Sequence, residues 1–217
     1  MSSLDKMEFA MNQEPRCACV LLLDTSGSMA GAPIDALNAA LVDFQETLAS
    51  DSLARLRAEI AIVTFDVVAH VAQDFVTADD FRAPTLVARG TTAMGEGITK
   101  AIALIDARKA TYKANGIDYY RPWLFLITDG APTDDIESAR KLLRAAAGES
   151  KLAFFAVGVA GADMGVLRSL AVGYEPVQLS GLKFQEMFVW LSSSLRKVSQ
   201  SKVGDQTPLA PPSTWTV

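Results

Sequence analysis

The sequence is poor in the residues that proteins use for soft metals and for binding nucleic acids. Its 217 residues include two cysteines and one histidine, and two cysteines alone make no zinc site. Lysine and arginine number 20 against 25 acidic residues, giving a net charge of −5. This balance argues against a nucleic-acid surface, which needs clustered basic side chains.

Long apolar runs and a leader-like start are also lacking. No run approaches the roughly 18 apolar residues of a transmembrane helix. The first residues, MSSLDKMEFAMNQEP, carry acids and have no apolar h-region, so we expect no signal peptide and a cytoplasmic protein. Cys17 and Cys19 alternate on a predicted strand, where a disulfide would have poor geometry. We therefore interpret them as reduced core residues.

Half of the residues are hydrophobic, and their spacing predicts alternating strands and helices. Short apolar runs predict strands at 17–23, 59–65, 122–128 and 151–159, with an edge strand at 67–75 and a short strand at 176–179. Helical periodicity predicts helices at 33–49, 94–108, 134–147, 164–171 and 183–199. This order predicts a Rossmann-like, doubly wound α/β fold: a mostly parallel sheet with one antiparallel edge strand and helices on both faces.

The chain divides into one domain and two terminal segments. We expect an N-terminal extension at 1–14, a single domain at 15–199 and a flexible tail at 200–217. The tail is rich in Pro, Ser and Thr and lacks apolar periodicity, which is typical of a disordered segment. Trp215 is the one residue that could anchor it.

Oxygen-bearing side chains follow two of the buried strands. Asp24, Ser26 and Ser28 end the first strand in VLLLDTSGSM, Asp129 ends the strand at 122–128, and the loop RGTT at 89–92 adds hydroxyls. Ligands of open α/β sheets collect outside the carboxyl ends of the strands. Carboxylates and hydroxyls without histidine or cysteine suit a hard cation such as Mg²⁺, Ca²⁺ or Mn²⁺. The sequence therefore predicts a divalent-metal site at this edge.

Three motifs resemble those of the von Willebrand factor type A (VWA) domain, namely DTSGSM at 24–29, GTT at 90–92 and TDG at 128–130. That family carries a metal-ion-dependent adhesion site (MIDAS) built from Asp-x-Ser-x-Ser, a distant threonine and a distant aspartate. The resemblance covers roughly residues 15–199, with the motifs in the family's order. It implies a binding protein without catalytic residues.

By this resemblance the metal ligands are Asp24, Ser26, Ser28, Asp129 and one threonine. Thr92 fits better, because a small residue, Gly97, follows it five positions later, and Thr91 stays open. The implied ion is Mg²⁺, or else Mn²⁺ or Ca²⁺. Its vacant position would take a Glu or Asp of a protein partner, with no role for nucleic acid or membrane. The expected rim around it comprises Met29, Gly31, Thr91, Met94, Pro132 and Thr133.

The segments LLLDTSGSM and WLFLITDGAPTD look like bacterial cytoplasmic members of the family, similar to the Ter-type proteins associated with tellurite resistance. Such proteins often belong to stress-response systems that also encode a kinase and a phosphatase. The resemblance thus implies one of these enzymes as the partner.

The sequence lacks residues that each of two enzymatic interpretations would require. A metal-dependent phosphatase-type hydrolase using Asp24 would want a second acid two residues later, where Ser26 stands. A serine hydrolase would need a G-x-S-x-G turn, which is missing, and His70 as its base. A metal-independent scaffold remains an alternative. Of the other acids, Asp66 is interpreted as a turn residue, with a hydrogen-bond acceptor behind the metal ligands as the alternative. Asp134 and Asp135 are interpreted as the start of the helix at 134–147.

Overall fold

The computed structural model describes residues 9–148, 151–205 and 207–217. In this part of the chain, six strands form one sheet in the order β3-β2-β1-β4-β5-β6. Their bounds are β1 Cys17–Asp24, β2 Ala58–Phe65, β3 Ala69–Thr77, β4 Trp123–Thr128, β5 Ala153–Gly158 and β6 Val177–Gln178. Neighbouring strands are parallel except for the antiparallel pair β2–β3 at one edge. The predicted doubly wound sheet with one antiparallel edge strand is confirmed.

Helices cover both faces of the sheet. They are α1 Ala32–Ser50, α2 Ala54–Arg57, α3 Met94–Ala114, α4 Glu137–Gly148, α5 Met164–Leu170 and α6 Phe184–Ser199, with a 3₁₀ turn at Gly27–Met29. The side chains of α1 and α6 pack into one apolar cluster, and those of α3, α4 and α5 into another. None of the helices in the described residues is long and apolar enough to cross a bilayer.

Strand β1 runs through the middle of the molecule, between these two clusters. Leu21 and Leu23 join the α1–α6 side, whereas Val20 and Leu22 join the α3–α5 side. Because successive side chains of a strand point to opposite faces, every residue of β1 is buried. The continuous apolar run of the sequence is the signature of this position.

Several element bounds differ from the sequence prediction, for local reasons. The edge strand begins at Ala69 instead of 67, because the Asp66 carboxylate accepts the N–H groups of Val67 and Val68 in a turn. Helix α3 extends six residues past the predicted end at 108. Its added turns bury Tyr112, whose hydroxyl donates to Glu59. The short helix α2 was not predicted.

The terminal segments lie against the domain where the structure describes them. Phe9, within the extension expected at 1–14, is buried and packs edge-on against Tyr112. Trp215 is 1% exposed, packs against Trp190, and is followed by a bridge between Thr216 and Leu179. Trp215 is thus packed as the anchor that the sequence allowed, and the flexibility expected of the tail at 200–217 stays a prediction. Residues 1–8 and 206 lie outside the described ranges.

Candidate metal centre

The turn after β1 is built around the carboxylate of Asp24. Its Oδ1 accepts the backbone N–H of Ser26 at 2.8 Å, and the 3₁₀ turn that follows buries Met29 completely. Gly27 N–H donates to Gly90 O at 3.1 Å, and a Cβ on Gly27 would lie 3.3 Å from that oxygen. Glycine therefore lets the turn approach the loop that precedes α3.

The end of the neighbouring strand β4 closes on the same carboxylate. The Thr128 hydroxyl donates to Asp24 Oδ2. Asp129 Oδ1 accepts the Ser28 hydroxyl at 2.7 Å, and the hydroxyl oxygens of Ser28 and Ser26 lie 3.0 Å apart. Two adjacent parallel strands thus bring both acids and both serines to one point at the carboxyl edge of the sheet.

The loop before α3 adds Thr92 to this group. The loop is held by backbone hydrogen bonds from Arg89 to Thr25 and from Ala93 to Asp66, both 2.8 Å long. Thr92 Oγ1 and Asp24 Oδ2 lie 3.3 and 3.8 Å from the position that a Cβ on Gly130 would occupy. The Thr92 hydroxyl and the Asp24 carboxylate therefore lie beside the same point next to Gly130, whereas Thr91 is exposed on the same loop.

Within the described residues, the acids at this edge have hydrogen-bond donors but no basic partner. Asp24 is fully buried and Asp129 is 8% exposed. Burial raises the pKa of Asp24, and the neighbouring Asp129 raises it further, against hydrogen bonds from Ser26 and Thr128 that lower it. Within the described residues, neither acid forms an ion pair with a lysine, arginine or histidine. Two close carboxylates without a basic partner favour binding of a cation.

The donor set fits a hard divalent ion. It consists of two carboxylates and the hydroxyls of two serines and one threonine, which are the oxygen ligands that Mg²⁺ and Ca²⁺ prefer. No group of three or more His, Cys, Asp or Glu side chains suited to a metal occurs in the described ranges. The chemistry at this edge is therefore that of a hydroxyl-rich site, unlike a zinc centre of thiolates and imidazoles.

A family model, von Willebrand factor type A domain, matches residues 19–178, which is more than half of the chain. The chain belongs to the VWA domain family. This family often mediates metal-dependent protein interactions. A comparison with curated proteins finds no match.

Solved structures share the fold of this VWA domain. A von Willebrand factor type A protein from Catenulispora acidiphila is 19% identical with a TM-score of 0.66, covering 84% of this chain and 43% of that one. Proximal thread matrix protein 1 from the mussel byssus, with a zinc-occupied MIDAS motif, is 16% identical with a TM-score of 0.59, covering 85% and 49%. The ArnB paralog VWA2 from Sulfolobus acidocaldarius is 16% identical with a TM-score of 0.56, covering 84% and 46%. The chain spans less than half of each of these proteins.

The residues expected at the rim of the VWA site fall into two groups. Gly31, Thr91 and Thr133 are exposed and Pro132 is partly exposed. Met29 and Met94 have no exposed surface, so they pack beneath the site and cannot touch a partner from it. The backbone N–H of Thr92 donates to the Thr133 hydroxyl at 3.1 Å, which links the two loops beside the site.

The sequence analysis missed Thr128 and left the role of Asp66 open. Thr128, which holds Asp24, ends an apolar strand next to an acid, and that hydroxyl is the signal that could have found it. Asp66 holds the predicted turn through the N–H groups of Val67 and Val68, and its Oδ2 also accepts the Nε–H of Arg89 at 3.1 Å. Burial opposes this charge, yet hydrogen bonds from Arg89 and two backbone N–H groups lower the pKa of Asp66.

Asp134 serves a different helix from the one predicted. Helix α4 begins at Glu137, and the Asp134 carboxylate accepts the N–H groups of Gly95 and Glu96 at 3.0 and 2.8 Å. These bonds satisfy unpaired donors in the first turn of α3. Assignment of Asp134 to the start of its own helix was wrong, because a carboxylate can cap any N-terminus within reach. Asp135 does lie at the start of α4 as predicted, since its Oδ1 accepts the N–H of Glu137 at 2.9 Å.

The geometry is unsuited to the two hydrolase interpretations. A nucleophilic carboxylate must reach its substrate, whereas Asp24 is fully buried with both oxygens hydrogen-bonded. His70 is exposed on β3, which β2 separates from β1. In the described residues, His70 is therefore not placed as a base for Ser26 or Ser28.

Proposed function

We propose that this VWA domain binds a divalent cation and uses it to hold an acidic side chain of a protein partner. The proposed ligands are Asp24, Ser26, Ser28, Thr92 and Asp129. The observation that carries the proposal is a fully buried Asp24 that has hydroxyls and a second acid around it and no basic partner in the described chain. A buried charge of this kind needs a compensating charge.

The arrangement of the ligands supports a site that stays accessible from one side. Asp24 and Ser26 are buried, whereas Ser28 is exposed and Gly31, Thr91 and Thr133 are exposed around it. A divalent ion here would supply a Lewis-acidic position for a carboxylate from outside. We propose Mg²⁺ as the ion, with Mn²⁺ or Ca²⁺ as alternatives, because hydroxyls and waters complete the shell of Mg²⁺ readily.

Calorimetric titration with Mg²⁺ tests the ligand set. Ser28→Ala and Thr92→Ala should each weaken Mg²⁺ binding by about tenfold or more. Thr91→Ala is the matched control, since it removes a hydroxyl from the same loop, and it should bind as the wild type does. Equal binding by Thr92→Ala and wild type would contradict the assignment of Thr92. Absence of binding to Mg²⁺, Mn²⁺ and Ca²⁺ would overturn the metal function.

Affinity capture tests the partner function. The partner should be retained with Mg²⁺ and released by chelator, and Ser28→Ala should fail to retain it. Substitution of each exposed acid of the captured partner should then identify one whose loss abolishes binding. Capture that is insensitive to chelator would favour a metal-independent scaffold.

We further propose a cytoplasmic stress-response setting, with a kinase or phosphatase of the same system as the partner. This part rests on the resemblance of LLLDTSGSM and WLFLITDGAPTD to Ter-type proteins. It predicts that a purified kinase or phosphatase encoded beside this protein binds it in Mg²⁺. If neither enzyme binds while another acidic partner does, the setting is wrong and the metal function stands.

A further inference from the structure

A cavity of about 460 Å³ lies at the end of the sheet opposite the candidate metal centre. Trp123 and Ala153, the first residues of β4 and β5, form part of its wall. The six residues of β4 separate it from Asp129, a distance of roughly 17–20 Å along the strand. The cavity is therefore a separate site that the proposed metal function does not use.

The cavity is cationic although the protein is acidic. Among the described residues, Lys109, Arg121 and Lys151 line it with one acid, Asp205, whereas the whole chain has a net charge of −5. Lys151 already has an interaction of its own, so the charge open to a ligand is that of Lys109 and Arg121. The carboxylate that pairs with Lys109, Asp106, is largely exposed and lies outside the wall. An anion entering the cavity would therefore meet a locally positive field.

Arg121 has the least compensated charge in this wall. Its Nη2 donates to the backbone carbonyls of Ala147 and Leu152, at 3.3 and 2.5 Å. Its Nε is buried without a hydrogen-bond partner, and Arg121 forms no ion pair within the described residues. The Thr207 hydroxyl, also in the wall, is likewise buried without a partner. Unsatisfied buried polar groups of this kind are rare without a ligand or water.

Aromatic side chains supply a flat apolar part of the wall. Tyr174 packs on Phe155 with ring centroids 4.5 Å apart, and Tyr119 packs on Tyr112 at 5.5 Å. The rings of Tyr119 and Tyr174 are thus held in place by neighbours, which lowers the entropic cost of binding a planar group. Apolar walls with a few convergent polar groups are typical of small-molecule sites.

We propose that this cavity binds a small organic anion with a planar ring, of the mononucleotide class. The phosphate would lie at Arg121 and Lys109, and the base would lie against Tyr119 or Tyr174. The volume is within the range of small-molecule sites, about 300–1,000 Å³, and exceeds what an inorganic ion fills. The concave shape favours a small molecule over a protein surface.

Calorimetric titration of the full chain with AMP and GMP tests the proposal. Chelator is present throughout, so that phosphate cannot bind through a metal at the other site. At least one nucleotide should bind, and adenosine or guanosine and inorganic phosphate should each bind about tenfold more weakly. No binding of either nucleotide at millimolar concentration would overturn the proposal, as would equal affinity for phosphate alone.

Substitutions locate the binding. Arg121→Gln and Lys109→Gln should each weaken nucleotide binding by about tenfold. Arg82→Gln, an exposed arginine elsewhere, is the matched control and should have no effect, and Ser28→Ala should have none either. Because Arg121 also donates to backbone carbonyls, circular dichroism checks that the Arg121→Gln variant is folded. If it is not, Tyr174→Ala provides a second test. Wild-type affinity in both Lys109→Gln and Tyr174→Ala would overturn the proposal.

Discussion

Two fully buried carboxylates, Asp24 and Glu59, lie at opposite ends of neighbouring strands of this sheet and are stabilised in different ways. Glu59 accepts from Arg16 at 2.9 Å, from Arg108 at 2.7 Å and from the Tyr112 hydroxyl. Asp24 accepts from one backbone N–H and one hydroxyl and has a second acid nearby. The protein compensates the first charge completely and the second only in part.

The difference separates a structural charge from a candidate binding charge. Around Glu59 the guanidinium of Arg16 also donates to the carbonyls of Asn12 and Glu14, and it lies 5.4 Å from the Phe9 ring. That cluster ties the N-terminal segment to the sheet. At Asp24 the described residues supply hydrogen bonds but no basic partner. A cation bound there would therefore couple metal occupancy to stability.

Glu59→Gln should give the largest effect. It leaves Arg16 and Arg108 buried without their counter-charge, which typically costs about 3–5 kcal/mol. Urea unfolding should show this loss equally with Mg²⁺ and with chelator. A loss that depends on Mg²⁺ would contradict the separation of the two ends, and Asp118→Asn, an exposed acid, is the control that should change little.

Asp24→Asn should abolish the dependence of stability on metal. The wild type should gain about 2.7 kcal/mol at a Mg²⁺ concentration one hundred times Kd, whereas the variant should gain nothing. In chelator near neutral pH the variant should be the more stable protein, because the amide keeps the shape of the side chain and removes a buried charge that has no basic partner. Urea unfolding with Mg²⁺ and with chelator measures the free energy of unfolding of both proteins. An equal increase in stability from Mg²⁺ in both proteins would contradict the assignment of Asp24 as a metal ligand.

Removal of one hydroxyl at each end should sharpen the comparison. Tyr112→Phe deletes a hydrogen bond to Glu59 and should cost about 1 kcal/mol in unfolding, with Mg²⁺ affinity unchanged. Thr128→Val deletes the hydroxyl on Asp24 and should weaken Mg²⁺ binding by about tenfold or more, because that hydroxyl orients the ligand. Calorimetric titration of both variants with Mg²⁺ measures the two affinities. Similar affinities in the two would show that Thr128 does not orient a metal ligand.

The smallest expected effect is the pH dependence of stability that Asp24 causes when chelator removes the metal. Because the pKa of Asp24 is raised in the folded state, the folded protein holds its proton at pH values where the unfolded chain has lost it. Stability from this group is therefore greatest below its ordinary pKa and declines as pH rises through the raised value. The difference in unfolding free energy between Asp24→Asn and wild type should grow in that direction. A difference that is constant with pH would contradict the raised pKa.

The sequence predicted best what depends on periodicity. β1 and α1 were placed within two residues at each end, since continuous burial and an amphipathic stripe leave regular patterns. Bounds failed where a tertiary contact decided them, as at the end of α3, where Tyr112 binds Glu59 from another strand. The pairing of Asp134 with α3 was hidden for the same reason, because Asp134 lies 39 positions after its partner Gly95 in the sequence.

The candidate site shows the same division. Asp24, Ser26 and Ser28 are recognisable within five residues, and Asp129 follows a buried strand. The sequence could not separate Thr91 from Thr92, because neighbouring residues of a loop differ only in the direction of their side chains. It also could not show that Met29 and Met94 are buried, since a methionine beside a polar motif can face either side.

The sequence by itself determined the order of strands and helices and the oxygen-rich residue types at the strand ends, because hydrophobic periodicity and local turn chemistry act over short stretches of chain. Only the tertiary structure decided which charges meet a partner. It joined Glu59 to two arginines and left Asp24 with hydroxyls and another acid. Compensation of a buried charge depends on groups brought together from distant positions, and that proximity is a property of the packed fold.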